Sequence, residues 1–320
     1  MRILTLVPGG IGDQILFFPT LADLKTTYPE AKIDVLVEPR SKSAYRVCSH
    51  VDEVLLFDYK NRNSLADYLN LLGIIRDREY EVALTLGQRW TVGFLLWLNG
   101  IPLRVGYETS PSFFFSQTVP LKSEQYAAQM YHDLLQGLEI NTPCPPLQVN
   151  VPKSDIQWGE EEQKRLAIKD GNYIVIHGGS SQLAQEKGID KIYPVTKWQE
   201  IIADLQKKQP DLPIVLLQGP EDEQWVEQLL QGNPNLNVTS PPDIGKLAAM
   251  IAGGSLMLCT DSAPMHLSIA VGTYTIALFG PTDPKKLLPP ENKACIGVKS
   301  PTGAIADIEV NSVLEKIWRG

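Results

Sequence analysis

The chain has 320 residues, 43% hydrophobic and 21% charged, which is typical of a globular protein and long enough for two domains. A net charge of −8 argues against non-specific nucleic-acid binding, so we expect no nucleic-acid partner. The four cysteines form no CxxC pair, and no apolar run approaches the roughly 18 residues of a membrane-spanning helix; both features favour a reduced, cytoplasmic protein.

The first half of the sequence predicts a regular alternation of strands and helices. A strand over residues 3–7 is followed by a glycine-rich turn at 8–13 and a helix over 14–26. Further strands are predicted at 33–37, 54–57, 82–86 and 104–107, and further helices at 41–48, 65–75, 90–98 and 124–138. Such alternation is typical of an open parallel sheet with helices on both faces. The apolar segments 94–98 and 113–115 fit either a core or a membrane-contacting surface, and we expect them in the core.

A proline-rich segment, residues 141–152, interrupts this alternation with four prolines and some strand character at 147–151. It predicts a boundary between domains 1–152 and 153–320. A helix over 154–168 opens a second alternating series. Its strands are predicted at 173–177, 214–218, 237–239, 256–259, 275–279 and 294–298, and its helices at 195–207, 222–230, 244–252 and 263–271. A last helix, 306–318, could pack on either domain. We therefore expect two doubly wound α/β domains facing one another across a cleft, with ligands at the carboxyl ends of both sheets.

Residues 255–284 carry the densest set of polar turn residues. They predict a strand, a helix and a strand, with Asp261 and Ser262 at the helix start and Gly272 at its end. In a parallel unit of this kind the helix N-terminus lies at the carboxyl edge of the sheet, where anions bind. Thr260 adds a hydroxyl at that edge. These residues fit ordinary caps and turns or a nucleotide-sugar site, and the rest of the chain favours the site.

The glycine-rich turn after the first strand contains Gly10, Gly12 and Asp13. The two glycines match the first half of a GxGxxG dinucleotide motif, but Ile15 occupies the third glycine position, which weakens that interpretation. Asp13 lies at the transition from the strand to the helix. Its carboxylate could accept a proton from a bound hydroxyl group, or it could simply complement the helix dipole.

A second glycine-rich turn, His177-Gly178-Gly179-Ser180, follows the first strand of the second half. Its glycines and hydroxyl would let backbone N–H groups approach a phosphate, although it lacks the ending of a P-loop. Lys191 precedes the helix that opens near Pro194. It could neutralise a departing diphosphate or be a solvated surface lysine.

Two acidic residues and one histidine near the other strand ends could each have a binding role or a structural role. Glu221 and Glu223 could accept hydrogen bonds from sugar or ribose hydroxyls, or form an acidic first helical turn. His266, one turn inside its helix, is more typical of a structural histidine than of a base. The sequence has no HExxH, DxD or GxSxG motif, so we expect no metal site, no cofactor and no serine-hydrolase elbow.

Taken together, these segments resemble the bacterial heptosyltransferases of glycosyltransferase family 9, which act in assembly of the lipopolysaccharide core. The resemblance rests on VPGGIGDQILFFPTL, IHGGSS, KIYPVTKW, QGPEDE, DIGKLAAMIAGGSLMLCTDSAPMHLSIAVG and ALFGPTDP. It implies a GT-B fold of two Rossmann-like domains, with the acceptor on the first and the donor on the second. It also implies transfer with inversion at the anomeric carbon and without a metal.

The resemblance also implies roles for individual residues. Asp13 matches the family's general base and Lys191 its diphosphate-binding lysine. The implied donor-binding residues are His177, Gly178, Gly179, Ser180, Glu221, Glu223, Thr260, Asp261, Ser262, Ala263, Met265 and His266, and the implied acceptor-binding residues are Gly10, Gly12, Arg40 and Arg62. This chain has Ser262-Ala263 where Thr-Gly is common, and His177-Gly178-Gly179 where His-Pro-Gly is usual.

The implied partners are an ADP-heptose donor and an acidic glycolipid or glycan acceptor. Basic residues in first-domain loops could bind that acceptor or form an ordinary solvated surface: Arg40, Lys42, Arg46, Lys60 and Arg62. We expect a cytoplasmic monomer, and peripheral contact with the inner face of the cytoplasmic membrane is compatible with this expectation. The alternatives left open are a non-catalytic nucleotide-sugar-binding protein and a nucleotide-sugar 2-epimerase.

Overall fold

The computed structural model describes residues 1–59, 63–108, 112–168, 172–179 and 191–319. The chain divides into two compact units, Met1–Asn150 and Val151–Gly320. The division falls inside the proline-rich segment. Each unit is built on its own parallel sheet, which confirms the predicted α/β class with two doubly wound sheets.

The first unit contains a six-stranded sheet in the order β3-β2-β1-β4-β5-β6, in which every pair of neighbours is parallel. Its strands are β1 (Arg2–Leu6), β2 (Lys32–Val37), β3 (Glu53–Leu56), β4 (Val82–Thr85), β5 (Leu103–Tyr107) and β6 (Gln117–Val119). The strand order reverses between β1 and β4, and the crevice outside such a switch point is where doubly wound sheets bind ligands. β6 was not predicted, because three residues at a sheet edge carry almost no periodic signal.

The first unit's helices follow the strands as expected, with local differences. They are α1 (Ile11–Thr27), α2 (Leu65–Arg76), α3 (Trp90–Leu98) and α4 (Ala127–His132), and 3₁₀ segments cover Pro39–Val47 and Asp133–Leu138. The predicted helix over 124–138 is therefore wrong in extent: it begins at Ala127 and tightens to 3₁₀ geometry from Asp133.

The two apolar segments that were expected in the core lie there only in part. Leu96 of α3 and Phe115 are buried, but Trp97 is 51% exposed and Phe113 is 71% exposed. A helix that is apolar on all sides can bury only the face that it turns to the sheet, and the rest stays at the surface. The expectation of a core location is therefore wrong for Trp97, Phe113 and also Leu98, which is 44% exposed.

The second unit contains another six-stranded parallel sheet, in the order β12-β11-β10-β7-β8-β9. Its strands are β7 (Ile174–His177), β8 (Ile214–Leu217), β9 (Asn237–Thr239), β10 (Leu256–Thr260), β11 (Thr275–Phe279) and β12 (Cys295–Lys299). The switch point lies between β7 and β10. No strand forms at 147–151, where the flanking prolines remove donors that a sheet needs.

Helices cover the faces of this second sheet. They are α5 (Lys153–Arg165), α6 (Val195–Lys208), α7 (Glu223–Gly232), α8 (Ile244–Ala252), α9 (Ala263–Val271), α10 (Pro284–Leu287) and α11 (Val310–Arg319), with a 3₁₀ turn at Ile305–Asp307. The last helix packs within the second unit, where Trp318 Nε1 donates to Asp204 Oδ2 of α6 at 2.8 Å. None of the helices in the described ranges has both the length and the hydrophobicity to cross a bilayer.

Candidate functional site

The switch point of the second sheet brings several of the predicted site residues together. His177 ends β7 directly beside the end of β10, because Cys259 is its register partner. The Ser262 hydroxyl lies 3.3 Å from His177 Nδ1 and donates to the Thr260 carbonyl at 3.2 Å. Residues 85 positions apart in sequence thus form one polar cluster at the carboxyl edge of the sheet.

A buried carboxylate, Asp222, holds the other side of the imidazole. His177 Nε2 lies 3.1 Å from Asp222 Oδ2, which also accepts the Gly219 N–H at 2.8 Å. Burial alone would raise the pKa of Asp222, but its hydrogen bond with His177, the histidine charge and the Gly219 N–H outweigh burial, so the pKa lies below its usual value. Glu221 and Glu223, the predicted acids of this turn, are both exposed. The acid that contacts His177 was therefore missed, and its neighbours were named instead.

The turn at Gly178 and Gly179 has no room for side chains. A Cβ atom on Gly179 would lie 1.6 Å from Asp222 Oδ1, and one on Gly178 would lie 2.6 Å from Trp198 Nε1. The buried Thr260 hydroxyl donates to the Gly179 carbonyl at 3.1 Å and fixes the turn. Close packing against these side chains explains why glycine occupies both positions. Ser180 lies outside the described residues.

Lys191 and Asp261 form an ion pair at the same edge. Lys191 Nζ lies 2.6 Å from Asp261 Oδ2, and the two side chains are only 19% and 5% exposed. Lys191 is therefore not a solvated surface lysine. A pair this sheltered is costly to break by deleting one partner, because the remaining charge stays buried.

Three helices at this edge begin without a side-chain cap. The residues that precede them, Pro194 for α6, Asp222 for α7 and Ser262 for α9, form no side-chain cap hydrogen bond. In contrast, Asp243 caps α8 and Asp283 caps α10. α7 and α9 follow β8 and β10, the two strands that flank β7. Positive dipole ends thus lie at the centre of the sheet, where they can bind an anion, although in α9 Pro264 has no N–H and the Met265 N–H donates to the Ser262 carbonyl at 3.1 Å.

The other predicted donor residues lie in α9. Ala263 occupies the first helical position and is partly exposed, whereas Met265 and His266 are 0% and 4% exposed. The Met265 N–H donates to the Ser262 carbonyl at 3.1 Å, and its carbonyl accepts from the Ser268 hydroxyl at 2.8 Å. Ala263 keeps the helix start accessible because its side chain is small.

In the first unit, Asp13 closes the glycine-rich turn after β1. Its Oδ2 accepts the Gly10 N–H at 2.8 Å, which satisfies one of the free donors at the start of α1. Gly9 has φ of +121°, and a Cβ atom there would lie 2.3 Å from Asp13 Oδ2. Gly9 is thus required for this turn, although it was not among the predicted site residues.

Tyr131 contacts the second oxygen of the same carboxylate. Its hydroxyl donates to Asp13 Oδ1 at 3.1 Å. Burial, the negative charge of Asp13 and this hydrogen bond raise the pKa of Tyr131 well above its usual value, so the phenol stays a donor at neutral pH. No local sequence pattern predicts this contact, since 118 positions separate the two residues.

Arg40 lies beside the same turn. Its Nη1 atom is 3.9 Å from the position that a Cβ atom on Gly10 would occupy, and its Nε donates to Glu38 Oε2 at 2.7 Å. Gly12 lies in the first turn of α1. The turn therefore combines predicted acceptor residues with Asp13, while Arg62 and Lys60 lie outside the described residues.

Comparison with known proteins identifies relatives over nearly the full chain. A plant relative, photosynthetic NDH subunit of subcomplex B 1, chloroplastic, from Arabidopsis thaliana, is 25% identical over 98% of this chain and 72% of its own. Lipopolysaccharide heptosyltransferase 3 from Escherichia coli is 27% identical over 85% of this chain and 81% of its own.

Solved structures share the fold. A glycosyl transferase family 9 protein from Veillonella parvula superposes with a TM-score of 0.86 at 20% identity, over 99% of this chain and 96% of its own. E. coli heptosyltransferase WaaC, solved with ADP-2-deoxy-2-fluoro heptose, gives a TM-score of 0.77 at 20% identity, over 100% and 99% of the two chains. The sequence model of glycosyltransferase family 9 (heptosyltransferase) matches residues 69–317. The chain belongs to glycosyltransferase family 9 and is a glycosyltransferase.

Proposed function

We propose that this enzyme transfers a heptose or a related sugar from a nucleoside diphosphate sugar to a glycolipid or glycan acceptor, with inversion at the anomeric carbon. The observation that carries the proposal is the arrangement at the second switch point. There, uncapped helix N-termini and the Lys191–Asp261 pair lie beside the His177–Gly179 turn. Such a site suits the diphosphate of the donor.

The donor that this site would take is ADP-heptose. The E. coli WaaC structure was solved with an ADP-heptose analogue and shares this fold over the whole chain. Glu221 and Glu223 are exposed at the start of α7 and could accept hydrogen bonds from ribose or sugar hydroxyls. Met265 and His266 are buried in α9 and would support the donor site from within that helix.

Departure of the leaving group needs positive charge. As the bond from the anomeric carbon to the diphosphate oxygen breaks, the nucleoside diphosphate takes the electron pair. The Lys191 ammonium group and the positive dipole end of α9 would stabilise that charge. We propose that no divalent metal is required, because these groups can supply the positive charge themselves.

Asp13 is the proposed base. It would take the proton of the acceptor hydroxyl as the oxygen bonds to the anomeric carbon. Each carboxylate oxygen has two acceptor positions, and the structure uses one on Oδ2 and one on Oδ1. Asp13 therefore has acceptor capacity left for a substrate hydroxyl, although it also serves as a helix-start residue. Gly10, Gly12 and Arg40 would surround that hydroxyl.

The proposed acceptor is acidic and its carrier lies at a membrane. Arg40 is exposed beside Gly10 and could pair with a phosphate or carboxylate of the acceptor, and Arg62 is a further candidate on the sequence evidence. Names of relatives such as lipopolysaccharide heptosyltransferase 3 support a lipopolysaccharide-core acceptor. We propose a cytoplasmic monomer that contacts the membrane peripherally.

A screen of nucleotide sugars tests the donor first. The full chain should show a higher melting temperature with ADP and ADP-sugars than with UDP- or GDP-sugars, since a ligand that binds only the folded state stabilises it. Donor turnover with a lipopolysaccharide-core acceptor is then measured in EDTA. No stabilisation by any nucleotide would remove the donor site, and activity that returns only with magnesium or manganese would contradict the metal-free mechanism.

A second candidate, binding without transfer, is favoured by one observation. The plant relative that covers 98% of this chain is named as a subunit of a photosynthetic complex rather than as a transferase. The screen separates the two: a binding protein would be stabilised by a nucleotide sugar and yet transfer nothing to any acceptor.

A further inference from the structure

Three polar side chains of the second unit form a continuous path from a buried carboxylate to the edge of the sheet. Asp222 and His177 are 5% and 7% exposed. His177 Nε2 lies 3.1 Å from Asp222 Oδ2, and His177 Nδ1 lies 3.3 Å from Ser262 Oγ. Ser262 is partly exposed at the start of α9. We call this path, Asp222, His177 and Ser262, the imidazole chain.

The number of protons in the imidazole chain decides which of its contacts are hydrogen bonds. The pKa of Asp222 lies below its usual value, so near neutral pH its carboxylate can only accept, and His177 Nε2 carries a proton. The Ser262 hydroxyl has one proton but two acceptors in reach, since the Thr260 carbonyl lies 3.2 Å from Oγ. Both contacts of Oγ are hydrogen bonds at once only if Nδ1 is protonated and donates to it. The geometry thus accommodates His177 as an imidazolium.

The charges at this edge give such a proton a role in binding an anion. Lys191 is paired with Asp261, so their formal charges cancel. The Asp222 carboxylate then leaves one buried negative charge while His177 is neutral, and none when His177 is protonated. A diphosphate brings further negative charge to the same edge. Because opposite charges nearby favour the protonated form of an imidazole, a bound diphosphate should draw a proton onto His177.

Other ionisable groups near this edge do not take over this role. Charged side chains follow the neighbouring strands or the same turn: Glu221, Glu223, Asp283 and Lys299. Carboxylates and ammonium groups ordinarily keep their charge between about pH 6 and 9. Cys259, the register partner of His177, is buried, and burial raises the pKa of its thiol, so the thiol stays neutral. His266, 4% exposed within α9, is the remaining histidine of the second unit and needs a variant of its own.

We propose that His177 takes up a proton from solvent when the diphosphate of a nucleotide sugar binds, and that Asp222 and Ser262 position His177 for this step. The new proton sits on Nδ1 and donates to Ser262 Oγ, while the Nε2 proton stays on Asp222. Ser262 is then free to donate its own proton to a phosphate oxygen. His177 and Asp222 act through Ser262 and are therefore positioning residues. This inference rests on the proposed function, because it assigns an additional positive charge to the proposed donor site.

Calorimetry with ADP-heptose and no acceptor measures the proton uptake directly. Both phosphates of a nucleotide sugar are diesters, so the charge of the ligand itself does not change near neutral pH. Binding heats in buffers of different ionisation enthalpy should show that the parent takes up as much as about one proton between about pH 7 and 8.5. By linkage, the dissociation constant should rise with pH, by up to about tenfold per pH unit.

Variants of the imidazole chain should remove this pH dependence. His177→Gln should bind ADP-heptose with no proton uptake, and Ser262→Ala should lose most of the uptake because the path to the phosphate is interrupted. Ser262→Thr keeps the hydroxyl group and should restore it. The matched control is His132→Gln in the first unit, where His132 Nε2 lies 2.8 Å from Asp23 Oδ2 and the histidine is 4% exposed. This control should take up protons like the parent.

Parental uptake in His177→Gln or in Ser262→Ala, or no uptake by a parent that binds ADP-heptose, would overturn the proposal and leave the proposed function intact. Equal loss in His132→Gln would overturn it too, as would loss in His266→Gln alone, which would assign the proton to His266. Ser262 is partly exposed, so its two variants decide the question if His177→Gln does not fold. Proton uptake by a parent that transfers no sugar would refute only the proposed function, and a parent that does not bind ADP-heptose would refute both.

Discussion

Replacing Asp13 by asparagine separates a catalytic carboxylate from a helix-start residue. The carboxylate accepts the Gly10 N–H at 2.8 Å and the Tyr131 hydroxyl at 3.1 Å. Asparagine can still accept from Gly10, and the Tyr131 hydroxyl can rotate to accept from the new amide. What is lost is the charge on two hydrogen bonds and its interaction with the start of α1, worth about 1–2 kcal/mol.

That loss is small against the stability of an ordinary domain, so the variant should fold with a modestly lower melting temperature. If Asp13 is the base, turnover should fall about 10²-fold or more while the dissociation constant for ADP changes little. Turnover, ADP affinity and melting temperature are measured on the same pair of proteins. Parental turnover in a variant with the expected drop in melting temperature would refute the base assignment and leave Asp13 as a structural residue.

Lys191→Met should weaken ADP binding about 10–100-fold, because a charged hydrogen-bond donor is lost. Lys197→Met is the control, because Lys197 Nζ donates to the carbonyls of Ala306 and Ile308, each at 2.9 Å. Calorimetry should show that this control binds ADP as tightly as the parent. Equal ADP affinities in all three proteins would exclude Lys191 from the donor site. Tyr131→Phe should lower kcat about 3–10-fold without changing ADP affinity, because one hydrogen bond that orients Asp13 is removed; a parental kcat would contradict an orienting role. The pKa of Asp222 is lowered in the folded state, so its stabilisation is present above its unfolded value near 3.8 and is lost as pH falls through the folded value. Denaturant titrations from neutral pH to pH 3 should therefore show that the free energy of unfolding falls less for Asp222→Asn than for the parent. Superimposable curves of unfolding free energy against pH would reject a stabilising interaction between His177 and Asp222.

The sheets were the most predictable part of the molecule. Buried parallel strands have sequences that are short apolar runs between turn residues. The strand predicted from the run at 214–218 therefore matches the observed strand Ile214–Leu217 closely. The edge strand β6 was missed because its sequence, QTV, has only three residues and two of them are polar. Exposure of Trp97 and Phe113 could not be read from composition, since an apolar helix reveals which face is buried only once it is packed.

The candidate site was predictable where chemistry follows a strand directly. His177 ends β7, Asp261 directly follows β10, and Asp13 lies in the first turn of α1, after the turn that follows β1. Parallel topology places these positions at the carboxyl edge of their sheets. The contacts that orient them were not predictable. Asp222 lies between two other acids in the same turn, and only burial distinguishes it. Tyr131 reaches Asp13 through tertiary packing that no local pattern records.

Metal-independent sugar transfer with inversion is tested by the product of a single reaction. The full chain is incubated with ADP-heptose and a lipopolysaccharide-core acceptor in EDTA, and the product is analysed by mass spectrometry and by NMR of the anomeric centre. We expect an acceptor that has gained one sugar, with the anomeric configuration opposite to that in the donor and with ADP released in equal amount. Retained configuration, or ADP binding with no sugar transferred to the acceptor, would contradict it.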